Sequence, residues 1–149
     1  MPAASDPAAL PRTWRPFGVR MAGTVLGVGL LVVIALAWVG FDAETQAKFT
    51  TFQRLTALAL GLLAFLVWFS LVRSRIVAEP DRLVIVNGYR RREYAWAQVV
   101  SVNLPRGAPW ATVDLADGST VVAMALQGSD GDRARQAVRE LRSIIEQRS

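Results

Sequence analysis

Two stretches of this chain contain no charged residue: Met21 to Phe41, between Arg20 and Asp42, and Leu55 to Val72, between Arg54 and Arg73. A helix rises about 1.5 Å per residue, so roughly 20 apolar residues cross a hydrocarbon layer about 30 Å thick. Each stretch is close to that length, and only a short polar spacer separates them. The spacing predicts a transmembrane hairpin, with a first span over residues 21–41, an external loop over 42–54 and a second span over 55–72. A tail over residues 1–20 precedes it, and 73–149 is the one remaining segment able to build its own core.

Charge sets the direction of the hairpin. The formal net charge is +5, and Lys48 is the only lysine. Arg12, Arg15 and Arg20 precede the first run, and Arg73 and Arg75 follow the second. The spacer carries Asp42, Glu44, Lys48 and Arg54, which cancel. Cations near membrane ends favour the inner face, so both termini are expected in the cytoplasm and the protein in the plasma membrane. A cleaved signal has an apolar core of about 7 to 15 residues, shorter than the first run, which therefore reads as an anchor. Trp14, Trp38 and Trp68 fall near the ends of the runs, where aromatic rings favour the headgroup level.

Within the hairpin, Gly23 and Gly27 form a GxxxG spacing that permits close backbone approach. The contact is expected either within the chain, against Ala57, Gly61 and Ala64, or between two copies in a homo-oligomer. Neither run holds an ionisable residue, which speaks for an anchor over the alternative of a small transporter or channel subunit. The chain has no Cys and no His. That removes disulfides, thiolate metal sites and the commonest general base. No carboxylate constellation replaces them, so no enzyme, cofactor or metal site is expected.

Beyond Arg73 the pattern changes to short alternating runs. Arg75 to Ala78 and Arg82 to Val86 read as strands, the second ending in Asn87-Gly88, a dipeptide suited to both positive-φ positions of a type I′ turn. The strand is expected to return over Tyr89 to Trp96 and be followed by Val99 to Leu104. Trp110 to Leu115 and Thr120 to Ala125 flank a second turn signal, Asp117-Gly118. Ser129 or Asp130 then suits the cap of a helix with Ala134, Val138, Leu141 and Ile145 on one face. About six strands followed by one helix make the segment an α+β domain.

Leu83-Val84-Ile85-Val86-Asn87-Gly88, the arginine-rich return into Trp96-Ala97-Gln98-Val99, Pro109-Trp110 and Leu115-Ala116-Asp117-Gly118 carry a resemblance. From Arg75 onward the chain resembles the bacterial pleckstrin-homology (PH) domain family named for the mycobacterial low-molecular-weight protein antigen 6. The resemblance implies a PH-like small antiparallel β-barrel or sandwich with a C-terminal helix. Two membrane helices commonly precede the domain in that family, and no catalytic residue is carried over.

Arg90-Arg91-Arg92 is the sharpest charged feature. By analogy with the wider superfamily these three are candidate ligands for anionic lipid headgroups. Against that, a charged strand flank also blunts an exposed sheet edge, and alternation sends Arg91 to the opposite face from its neighbours. Trp96 and Trp110 are expected in the core. No nucleic-acid-binding signature accompanies the basic excess. The chain is expected to be a membrane-anchored, non-catalytic binding or scaffolding module. Its partner would be another protein or, in the alternative, anionic headgroups.

Overall fold

The computed structural model describes residues 10–148; the first nine residues of the expected tail and Ser149 lie outside the described residues. Two helices, α1 (Gly18–Gly40) and α3 (Thr51–Arg73), are each 23 residues long and apolar enough to cross a membrane. Each spans about 34 Å at the usual helical rise. Both begin before the charge-free runs do, because their first turns are stabilised by polar groups. At α3, Thr50 and Gln53 form a reciprocal capping box. Between them a short helix, α2 (Ala43–Lys48), is capped by Asp42, whose carboxylate accepts the Thr45 N–H and is held below the usual Asp range by Thr45, through its side chain first and then its N–H. Phe49 packs edge-on against Trp38 and stacks on Phe41, while Arg54 sits 5.4 Å above Trp38. These contacts close the tip of the hairpin.

The remainder is a sandwich of two antiparallel sheets. The first has the order β1 (Arg12–Trp14), β2 (Arg75–Ala78), β3 (Arg82–Asn87), β4 (Arg90–Ala95); the second has β5 (Val99–Asn103), β6 (Trp110–Leu115), β7 (Thr120–Gln127). A 3₁₀ turn, Trp96–Gln98, carries the chain from one sheet to the other. The sheets are not closed into a barrel. Where β3 approaches β7, the Asn87 side chain stands in for a peptide group: its amide donates to the Val122 carbonyl and its oxygen accepts the Met124 N–H at 3.0 Å. Helix α4 (Asp132–Arg148) packs across the open side, burying Ala134, Ala137, Val138, Leu141, Ile144 and Ile145. It also covers the edge of β5, where Arg142 donates to the Val102 carbonyl at 2.9 Å.

Strand β1 is an addition to what the sequence patterns indicate. Its three residues pair with β2, Thr13 opposite Val77 and Trp14 opposite Ile76. The tail therefore supplies the first strand of the sheet, and the whole helical hairpin is an insertion between neighbouring strands. Trp14, expected at a membrane interface, is 8% exposed within the core and donates its indole N–H to Glu140. Glu140 also pairs with Arg12 at 2.8 Å.

Other expectations need correcting. The β3–β4 turn is formed by Gly88 and Tyr89, since Asn87 pairs with Arg90. Only Gly88 has positive φ, +59°, as a type II′ turn requires and a type I′ turn does not. Asn87 extends as strand because its side chain is engaged with β7. The β6–β7 connection does use Asp117-Gly118, with Gly118 at φ +82° and Asp117 accepting the Ser119 N–H. Trp96 is core at 5% exposure, its indole N–H on the Glu79 carbonyl. Trp110 is not: it is 37% exposed, because Ala111, Val113 and Leu115 take the inward face of β6 and alternation leaves Trp110 on the other.

Candidate functional site

The sandwich is fastened to the ends of both apolar helices. At the C-terminal end of α3, the Gly88-Tyr89 turn rests on the last two turns: the Gly88 N–H donates to Ser74 Oγ at 3.0 Å, and Tyr89 Oη donates to the Leu66 carbonyl at 3.0 Å. Ser74 in turn bonds back to the Ser70 carbonyl, and the Tyr89 ring lies 6.4 Å from that of Phe69. A Cβ on Gly88 would overlap Ser70 Oγ. Position 88 thus needs glycine twice, for its φ and for this approach.

At the N-terminal end of α1 the capping group comes from far along the chain. Asp130 accepts the Gly18 N–H at 2.7 Å and the Phe17 N–H at 2.9 Å, satisfying two donors that a helix start leaves open. The sequence pattern offers Ser129 or Asp130 as the cap of α4. That helix instead starts at Asp132, with Arg135 N–H donating to the Gly131 carbonyl, and the aspartate turns outward to α1. Arg133 lies 4.0 Å over the Phe17 ring. Between this linker and α4 lies a cleft of about 270 Å³, lined by residues that include Trp14, Arg15, Phe17, Leu126, Asp130 and Arg133.

The arginine triplet occupies β4, an exposed edge strand. Arg91 pairs with Glu93 at 2.6 Å, and Glu93 also meets Arg82, which the Glu79 carboxylate, first, and then Glu93 hold above the usual arginine range. Arg90 and Arg92 share the parity of Ile85, which faces inward, whereas Arg91 shares that of Val86. The three therefore do not converge, and each step along β4 carries the chain about 3.3 Å farther from the Gly88-Tyr89 turn.

The glycines divide as well. A Cβ at Gly23 would overlap the Trp68 indole, so this glycine admits the ring between the helices. The Trp68 Nε1 is buried there without a hydrogen-bond partner. Gly27 and Gly61 have nothing within van der Waals reach of a Cβ, so within the chain these two glycines do not pack against each other's helix. Thr24 and Thr56 donate to the carbonyls of Arg20 and Phe52, four residues earlier in their helices. On the outer face of the second sheet, Asp114 accepts from Ser101, Asn103 and Thr120. Those bonds, Ser101 first, hold its carboxyl below the usual Asp range. No group of three or more metal-ligating side chains occurs among the described residues.

The model of the bacterial PH domain matches residues 73–143, which covers β2 to α4 but omits β1. Uncharacterized proteins of Mycobacterium bovis and of two strains of Mycobacterium tuberculosis are each 30% identical over 137 residues, 89% of this chain and 84% of theirs. Coverage that large takes in most of the segment ahead of residue 73. No solved structure matches. With a sandwich, a closing helix and relatives similar along nearly the whole chain, this protein belongs to the bacterial PH domain family.

Proposed function

We propose that this chain is a two-span membrane-anchored, non-catalytic protein that presents its PH domain as a binding or scaffolding module at the cytoplasmic face of the plasma membrane. The observation that carries the reading is the β1–β2 pairing, with Thr13 opposite Val77. Strands on either side of the hairpin belong to one sheet, so if α1 leaves through a bilayer, α3 must return through it. The basic flanks Arg12, Arg15, Arg20, Arg73 and Arg75 against the balanced loop support the inner face. The residues lining the space between α1 and α3, among them Val19, Leu60, Leu63 and Leu71, are apolar, which supports an anchor over a conduction path.

The domain's partner in this reading is another protein or the bilayer surface. Contact with anionic headgroups is favoured as a second reading by the Gly88-Tyr89 turn, which brings Arg90 next to the end of α3. Alkaline carbonate extraction and a pair of reporter fusions test the anchor. The protein should stay in the pellet. A reporter active only outside the membrane should be silent after Ser149 and active within Ala43–Lys48. Release into the supernatant, or the inverse reporter pattern, contradicts the reading.

A further inference from the structure

We propose that the cleft between Arg15 and Arg133 binds a phosphate group, carried by an anionic lipid of the bilayer in which the helices sit. The inference rests on the reading that α1 and α3 cross the membrane. Arg15 lies three residues before the first residue of α1, and the charge-free run begins at Met21, so the cleft sits at headgroup depth. Its volume of about 270 Å³ is far above the ~10–15 Å³ that a single water requires, leaving room for a phosphate and its ester substituent. Trp14 and Leu126 add apolar surface to its lining.

Two arginines, Arg15 and Arg133, line this space, and neither has a carboxylate partner within salt-bridge distance among the described residues. Arg133 is stacked on Phe17, which fixes the plane of the guanidinium while leaving its N–H edge available to an acceptor. The one carboxylate in the cleft, Asp130, faces the positive end of α1, with both oxygens bonded to backbone N–H groups there. Its charge is thus offset locally, and the two arginines are left for an external anion. This differs from the β4 triplet, whose Arg91 is engaged by Glu93 and whose members do not converge.

The test uses the full chain in a neutral detergent, titrated with phosphatidylglycerol and observed by native mass spectrometry. Phosphatidylcholine serves as the uncharged control and inorganic phosphate as the competitor. One phosphatidylglycerol should be retained in preference to phosphatidylcholine, inorganic phosphate should not displace it, and R15Q/R133Q should weaken retention about tenfold. Arg133→Lys, which keeps the charge, should restore part of the loss. Equal retention by a folded R15Q/R133Q overturns the site. Displacement by millimolar phosphate overturns the lipid as its source. Carbonate extraction of the same preparations reads the anchor separately: release there removes the anchor, while a retained protein without lipid preference removes only the cleft.

Discussion

Asp130 accepts the backbone N–H of Gly18 at 2.7 Å across 112 positions of sequence, so a residue of the PH domain caps the first apolar helix. The bond ties the orientation of the sandwich to the direction in which α1 departs. Together with Tyr89 on the Leu66 carbonyl, it makes the domain and the helix ends one mechanical unit.

Replacing Asp130 with Ala should therefore unsettle the start of α1 more than it unsettles α4. An N-cap loss costs about 1–2 kcal/mol, and Asn, with one acceptor oxygen, should recover only part of it. Hydrogen exchange at Phe17 and Gly18 should quicken in D130A while the amides of α4 keep their protection. The reverse pattern would return Asp130 to the role of an α4 cap.

Gly88→Ala meets two obstacles, the left-handed φ and the Ser70 hydroxyl. The first costs about 1–2 kcal/mol for an L residue. Adding Ser70→Gly removes the second obstacle but not the first, so the double variant should recover part of the stability lost by G88A. Thermal denaturation in detergent measures both steps, and full recovery or none would refute the division.

The tryptophans separate by burial. W14A and W96A should each lose about 3–5 kcal/mol, the usual range for a large core aromatic. W110A should fall within about 1 kcal/mol, since that ring is substantially exposed. For the same reason residues 73–149 expressed alone, lacking β1 and Trp14, should be markedly less stable than the full chain's domain in urea titrations.

Acid should act through Asp114. Its folded pKa is lowered, first by Ser101 and then by Thr120 and Asn103, so the carboxylate stabilises the fold above the ordinary Asp value of 3.8. That contribution is lost as pH falls through the lower folded value. D114N should be less stable than the parent near neutrality, and the difference should shrink below pH 3.8. A difference that does not change with pH would contradict the assignment.

The helical hairpin, six of the strands and the apolar face of α4 are legible in the sequence because each has a period or a length of its own. Ala134, Val138, Leu141 and Ile145 fall at helical steps and are all buried. What is not legible depends on partners distant in sequence. Arg12–Trp14 is too short to show alternation, and its pairing with β2 is set by a segment more than 60 residues away. The sequence offers Asp130 as a good cap but does not say for which helix. Asn87-Gly88 signals a turn, yet the attraction of β7 for the Asn87 side chain moves that turn one residue onward.

That one sheet is built from both sides of the helical hairpin can be tested directly, because the chain has no native cysteine. Thr13 and Val77 are opposed in register, and opposed antiparallel residues lie about 4.5–5.5 Å apart at Cα, within disulfide range. In T13C/V77C, oxidised in native membranes, an intramolecular disulfide should form promptly, and T13C with a cysteine on α2 in place of Ala47 should form none. A membrane-integrated T13C/V77C that stays reduced, with its two introduced thiols labelled by an impermeant reagent from opposite sides, would contradict the account.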